Sequence, residues 1–130
     1  MAKKILSVDD DPDIVTSVET IIEETGHIAV TATNGEEGLA TVREEKPDLI
    51  IMDVLMPKQS GIKMYRALKT DEALKHIPVI IHSGIAKRTF LRSQEALTEF
   101  GDDPVPEPAA YLEKPVEPEE LAAMITKLIG

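Results

Sequence analysis

Cysteine and tryptophan are absent from this 130-residue chain, which has only two Tyr and two Phe. Without Cys there is no disulfide frame, no thiolate metal site and no thiol nucleophile. With aromatics at 3%, the core must be built from aliphatic side chains. Basic residues are also scarce: 14 Lys and Arg against 24 Asp and Glu give a formal net charge of −10. No basic cluster offsets that charge, which argues against nucleic acid as a direct partner, since neutralising phosphates needs grouped cations. Long apolar runs are missing too. The basic start Met1-Ala2-Lys3-Lys4 leads into an apolar stretch that Asp9 interrupts, too short for a secretion signal. Nothing approaches a membrane span, and the expected location is cytoplasmic. What is present, 42% hydrophobic and 29% charged residues, suits one folded domain with a real core.

The most informative stretch is Asp48-Leu49-Ile50-Ile51-Met52-Asp53-Val54-Leu55-Met56-Pro57, closed by Ser60-Gly61. An unbroken apolar run of this length suits a strand covered on both faces, as in a parallel sheet. It ends in a carboxylate, Asp53, at the strand end where such sheets collect ligands and chemistry. A single Asp there is also a common turn former or helix cap, so its meaning depends on what else reaches that edge.

The rest of the chain alternates regularly. Ile5-Leu6-Ser7-Val8 predicts a strand ending in Asp9-Asp10-Asp11-Pro12, where Asp11 is an N-cap and Pro12 the first helical residue. That helix carries Ile14, Val15, Val18, Ile21 and Ile22 at helical spacing and stops at Gly26. A second strand spans His27 to Thr33. Asn34 with Glu37 then predicts a capping box for a helix through Leu39, Ala40 and Val42, ended by Lys46-Pro47. A third helix starts near Gly61 and should bury Ile62, Leu68 and either Met64 or Tyr65. Pro78 to Ile81 is a buried strand running into His82-Ser83-Gly84. A helix is expected from Lys87 to Phe100, with Phe90, Leu91, Leu97 and Phe100 on its apolar face. Gly101 to Pro108 holds three Pro in eight residues and reads as loop. Ala109 to Leu112 predicts a fifth strand, and Pro118 opens a helix with Leu121, Ala122, Met124, Ile125 and Leu128. Five strands alternating with five helices predict a doubly wound α/β fold: a parallel sheet with helices on both faces and right-handed connections.

Four strand ends carry polar groups: Asp9 and Asp10, Asp53, Ser83, and Lys114. Each alone suits a turn, but three carboxylates, a hydroxyl and an ammonium on one edge are costly to gather without a purpose. Adjacent carboxylates repel, so protonation or a divalent cation must relieve them. Without Cys or a well-placed His, a hard, oxygen-ligated ion is the natural candidate, and Mg²⁺ suits carboxylates combined with water and phosphate oxygens. An Asp beside such a metal can attack a phosphoryl group and form an acyl phosphate. Lys114 and the Ser83 hydroxyl could then share the charge on the phosphoryl oxygens, and Gly84 leaves the nearby backbone open.

The motifs Val8-Asp9-Asp10-Asp11-Pro12, Asp53 with Met56-Pro57 and Gly61, Ser83-Gly84, and Tyr111-Leu112-Glu113-Lys114-Pro115 occur in an order that resembles a response-regulator receiver domain of two-component signalling. The resemblance covers residues 3–129. It implies a flavodoxin-like sheet of order 2-1-3-4-5 and a single receiver domain over residues 1–130. It implies Asp53 as phosphoacceptor, with Mg²⁺ held by Asp9, Asp10, Asp53 and the Leu55 backbone carbonyl, and Asp10, Asp53 and Leu55 supplying the direct ligands. Ser83 and Tyr111 take the switch positions, Lys114 the phosphate-contacting position, and the Lys114–Pro115 bond is expected cis. The implied partners are a sensor histidine kinase or a phosphotransfer protein in a phosphorelay, and a downstream protein read through the α4-β5-α5 face. A monomer or weak homodimer is expected, promoting only its own phosphorylation and dephosphorylation. No output domain is expected after Gly130, so the readout falls to the receiver surface or a partner.

Two departures stand out: the segment at about 85–108 is longer than usual and Pro-rich, and Leu55 occupies a variable position beside the phosphoacceptor. Moving a two-state equilibrium from 1:99 to 99:1 needs about 5.5 kcal/mol. One charge-assisted hydrogen bond supplies about 1.5–3 kcal/mol. Ser83 alone is therefore too little, and Lys114, Tyr111 or a partner must add to it. Two alternatives come from other classes. One is a receiver-like binding module that takes no phosphate. The other is an aspartate-nucleophile phosphatase of the haloacid dehalogenase type using Asp9 and Asp11, which would leave Asp53 idle. His82 is expected to be structural or at the surface, facing away from Ser83's side, and His27 and His76 are expected to be solvated.

Overall fold

The computed structural model describes residues 2–99 and 104–130. Its elements are β1 (Lys4–Val8), α1 (Pro12–Glu24), β2 (Ile28–Ala32), α2 (Gly35–Glu45), β3 (Leu49–Met52), α3 (Ser60–Thr70), β4 (Val79–Ser83), α4 (Lys87–Glu99), β5 (Ala110–Glu113) and α5 (Pro118–Ile129), with a short 3₁₀ turn, Pro57–Gln59, before α3. The five strands are all parallel and lie in the order β2-β1-β3-β4-β5. Phe100 and Gly101 to Asp103 lie outside the described residues.

Local chemistry sets the helix boundaries. The Asp11 carboxylate accepts from the Asp13 N–H at 2.9 Å and caps α1, and Pro12 needs no donor at the first helical position. The chain leaves α1 through Gly26, whose φ of 87° favours a residue without a Cβ. Asn34 Oδ1 caps α2 by accepting from the Glu37 N–H at 2.8 Å, and Glu37 Oε1 accepts from the Thr33 N–H. α2 ends at Lys46, which adopts the left-handed conformation at φ 49°.

β3 occupies the centre of the sheet, and all four of its residues are buried. Alternate residues point to opposite faces, so two aliphatic cores result. Ile50 and Met52 join Leu6, Val8, Val42, Met64, Leu68 and Phe90 under α2, α3 and α4. Leu49 and Ile51 join Ile5, Val18, Ile22, Leu121 and Ile125 under α1 and α5. Full burial of each such side chain stabilises the fold by about 1.5–3 kcal/mol. A rigid central strand therefore ends at Asp53.

Three packing expectations need correction. Met64 and Tyr65 are both fully buried on α3, whereas Ile62 is only partly covered. His27 is buried and not solvated, with Nδ1 accepting the Lys3 backbone N–H at 3.0 Å. The fifth strand starts one residue later than expected, because its ladder pairs Ala110 with Ile80 and Glu113 with Ser83. His76 is exposed as expected.

Candidate functional site

The parallel sheet brings the carboxyl ends of β1, β3, β4 and β5 to one edge. Asp9 and Asp53 follow adjacent strands, and the Asp53 backbone N–H donates to the Val8 carbonyl at 3.0 Å. Carboxylate oxygens of Asp9, Asp10 and Asp53 lie within 4.8 Å of one another. Asp9 and Asp53 are buried, while Asp10 is exposed at the mouth. Lys114 enters from the end of β5, where its N–H donates to the Ser83 carbonyl at 2.8 Å. Its Nζ donates to Asp9 Oδ2 at 2.8 Å and to Asp53 Oδ2 at 3.1 Å.

Backbone donors fix the remaining oxygens. Asp9 Oδ1 accepts from the Asp11 N–H at 3.0 Å, and Asp53 Oδ1 accepts from the Leu55 N–H at 2.8 Å. The Leu55 side chain itself is 62% exposed, so its backbone serves the site while the side chain stays outside. Ser83 is fully buried, and its Oγ accepts from the Ile85 N–H at 3.3 Å. The Tyr111 hydroxyl donates to the Ile85 carbonyl at 2.6 Å, away from the carboxylates. The Lys114–Pro115 peptide bond is cis.

Burial and charge compete in this pocket. Burial pushes the Asp9 carboxyl up, and this outweighs the hydrogen bonds from Lys114 and Asp11 that favour its charged form. Burial lowers the Lys114 ammonium, but its bonds to Asp9 and Asp53 more than compensate and hold it above its ordinary value. The two shifts describe one arrangement: a single ammonium serves Asp9 and Asp53 with Asp10 beside them, so the cation is stabilised while buried Asp9 remains short of positive charge. That deficit, together with an all-oxygen donor set, fits a hard divalent ion such as Mg²⁺ and not a thiophilic one.

Of the predicted site residues, Asp9, Asp10, Asp53 and Lys114 are brought together directly, and Ser83 and Tyr111 flank them through the Ser83–Ile85 loop. His82 is buried, and burial with the nearby Lys114 charge pushes its imidazole down to about 4, against an opposing pull from Asp53. It is therefore a neutral structural side chain. Sequence reasoning missed the role of Gly61. A Cβ there would collide with the Asp53 carbonyl and stand 2.6 Å from Val54 Cα, so the start of α3 lies directly against the loop that follows Asp53. Its place at the end of the Pro57-to-Gly61 turn, in one motif with Asp53, Met56 and Pro57, was the signal for it. A partner for Tyr65 was also missed: its hydroxyl donates to the Pro106 carbonyl at 2.6 Å, a contact across 41 residues that no local pattern encodes.

A doubly wound α/β domain with an acidic, lysine-bridged pocket at the carboxyl ends of its strands has the architecture of a receiver module of two-component signalling. The chain belongs to the response regulator receiver domain family, whose profile matches residues 5–126. It is 31% identical to the polar-differentiation response regulator DivK of Brucella anthropi, covering 100% of this chain and 98% of that protein. It is 34% identical to protein PilH of Pseudomonas aeruginosa, covering 98% of each. It is also 34% identical to the alkaline phosphatase synthesis transcriptional regulatory protein PhoP of Bacillus subtilis, but there it spans only 49% of the relative's length. Among solved structures, the chemotaxis response regulator CheY4 of Vibrio cholerae superposes with a TM-score of 0.81 at 25% identity, covering 99% of this chain and 100% of that one. Among the described residues, no helix is long and apolar enough to cross a membrane.

Proposed function

We propose that this receiver takes a phosphoryl group onto Asp53 from a phosphohistidine of a sensor kinase or phosphotransfer protein. Protein–protein contacts of the α4-β5-α5 face then pass on the signal. The observation that carries this reading is the convergence of Asp9, Asp10 and Asp53 within 4.8 Å, bridged by Lys114. Asp9, Asp10, Asp53 and the Leu55 carbonyl would hold Mg²⁺, which when bound neutralises phosphoryl oxygens.

This chain's own residues do the rest. The Leu55 N–H fixes the Asp53 carboxylate from one side and Lys114 from the other, so the nucleophile is oriented before a donor arrives. In the transfer, an Asp53 carboxylate oxygen forms the new O–P bond as the donor's N–P bond breaks, and the departing imidazole keeps the electron pair. Lys114 and the Ser83 hydroxyl then face the charge carried on the acyl phosphate, roughly −1.5 to −2. Tyr111, bonded to Ile85 on the Ser83 loop, is positioned to report that change on the α4-β5-α5 face. Within the segment at about 85–108, read as longer than the family pattern, α4 belongs to that face and Pro104–Pro108 leads toward β5. The phosphatase alternative is disfavoured by Asp11, which is engaged as the α1 cap and stands outside the carboxylate group.

The test is incubation with a small acyl phosphate donor and Mg²⁺, followed by intact mass measurement. The wild-type chain should gain one phosphoryl group and Asp53→Asn should gain none. A phosphorylated Asp53→Asn chain would sink the assignment.

A further inference from the structure

Three of the chain's four aromatic rings form one contiguous row. Tyr65 on α3 meets Phe90 on α4 edge-to-face, with centroids 5.4 Å apart and planes at 80°. Phe90 meets Tyr111 on β5 at 5.7 Å. Tyr65 and Phe90 are buried, so neither ring can shift without repacking its neighbour. The row has a hydrogen bond at each end. At one end the Tyr65 hydroxyl donates to the Pro106 carbonyl at 2.6 Å. At the other the Tyr111 hydroxyl donates to the Ile85 carbonyl, also at 2.6 Å, two residues beyond Ser83.

The segment Pro104 to Pro108 is built to act as a strap at the first end. Its alternating prolines fix φ at three positions and hold Val105 and Glu107 extended, so docking it costs little conformational entropy. Val105 packs against the core beneath α4, and Glu107 lies 3.6 Å from Lys87 at the start of that helix. That ion pair is largely solvated and worth little. The seat therefore rests on the Tyr65 hydroxyl and the Val105 side chain.

We propose that the Pro104–Pro108 strap is a second input to the switch. Seated on Tyr65, it holds Phe90 and Tyr111 in the arrangement that bonds Tyr111 to Ile85, so lifting the strap and rearranging the Ser83–Ile85 loop favour each other. Tyr65 is then a positioning residue that acts on Tyr111 through Phe90. Because coupling between two sites is reciprocal, a phosphoryl group that reorders the Ser83 loop also loosens the strap. This last consequence rests on the Asp53 reading; the mechanical link between strap and loop does not.

The experiment is methyl and aromatic NMR of the full chain. Tyr65→Phe keeps the ring and removes only the hydroxyl. It should lower the seated-to-lifted ratio of the strap about 2- to 10-fold, the value of one neutral hydrogen bond. Val105 methyl, Ile85 methyl and Tyr111 ring signals should then move together. In Phe90→Leu, checked by circular dichroism for an intact fold, the same hydroxyl deletion should move Val105 but leave Tyr111 and Ile85 in place. Adding Mg²⁺ and beryllofluoride, with ¹⁹F signals reporting its binding, should displace the Val105 methyls in the wild type. The proposal is overturned if Tyr65→Phe moves Val105 alone or moves nothing. It is overturned equally if bound beryllofluoride leaves Val105 unchanged. Should beryllofluoride fail to bind, the Asp53 reading falls, and the strap-to-loop link stands or falls on the Tyr65→Phe comparison.

Discussion

Lys114 Nζ lies 3.1 Å from Asp53 Oδ2, although 61 residues separate the two in the chain. The same ammonium also holds Asp9 at 2.8 Å. One cation therefore links the ends of β1, β3 and β5 and sets the charge of the whole pocket.

Removing that cation should cost both activity and stability. Lys114→Met leaves buried Asp9 and Asp53 without their partner, an uncompensated charge worth up to about 3 kcal/mol at neutral pH. Urea denaturation in the presence of EDTA should show this loss, and it should shrink at acid pH as Asp9, held above its ordinary value by burial, takes up a proton. Phosphorylation by a small donor should slow on the order of 100-fold, in line with the loss of one electrostatic stabiliser.

Mg²⁺ should raise the unfolding temperature in a concentration-dependent way. A ligand at 100 times its Kd stabilises the folded state by about 2.7 kcal/mol. Differential scanning calorimetry of wild type and Asp10→Asn tests this. Asp10 is exposed, and Lys114 bonds to Asp9 and Asp53, so the loss of Asp10 should flatten the Mg²⁺ response while the metal-free fold stays intact.

Gly61 should be sensitive to a single added methyl and Gly84 insensitive. Gly61→Ala drives a Cβ into the Asp53 carbonyl and to 2.6 Å from Val54 Cα, all of it backbone that cannot turn aside. A loss of about 1–3 kcal/mol is expected, with phosphorylation reduced because Asp53 itself must shift. Gly84→Ala meets nothing within 4 Å and should leave stability within about 0.5 kcal/mol of wild type. Thermal melts of the pair decide the matter.

His82 should make stability fall as pH drops. Its folded pKa is pushed down to about 4, below the unfolded value of about 6.5, so the unfolded chain binds the proton first. Its contribution is complete above the unfolded value and is lost between about pH 6.5 and 4, amounting to roughly 3 kcal/mol at most. Asp9, whose pKa is raised by burial, works in the opposite direction over its own titration. The measurement is therefore a difference: denaturation of wild type against His82→Asn across this range. Equal slopes for the two would remove His82 as the cause.

Much of the site is legible in the chain because its parts sit where periodicity stops. Asp9, Asp53, Ser83 and Lys114 each follow a short apolar run, and parallel strands separated by helices must all end at one edge. The caps at Asp11 and Asn34 were equally readable, since each depends on a hydrogen bond two or three residues along. Burial of His27 and His82 was not readable. Nothing near either residue in sequence reveals that the Lys3 N–H meets one or that the pocket charges reach the other.

The short apolar run at Leu49–Met52 and the carboxylate that ends it were thus determined by sequence alone, because strand burial and strand termination are local properties. Tertiary structure decided how the charges are shared. Lys114 joins two of the three carboxylates, Leu55 serves through its backbone, and Tyr65 takes the Pro106 carbonyl. Those pairings are set by strand order and helix packing over tens of residues, distances at which residue spacing carries no information about which groups meet.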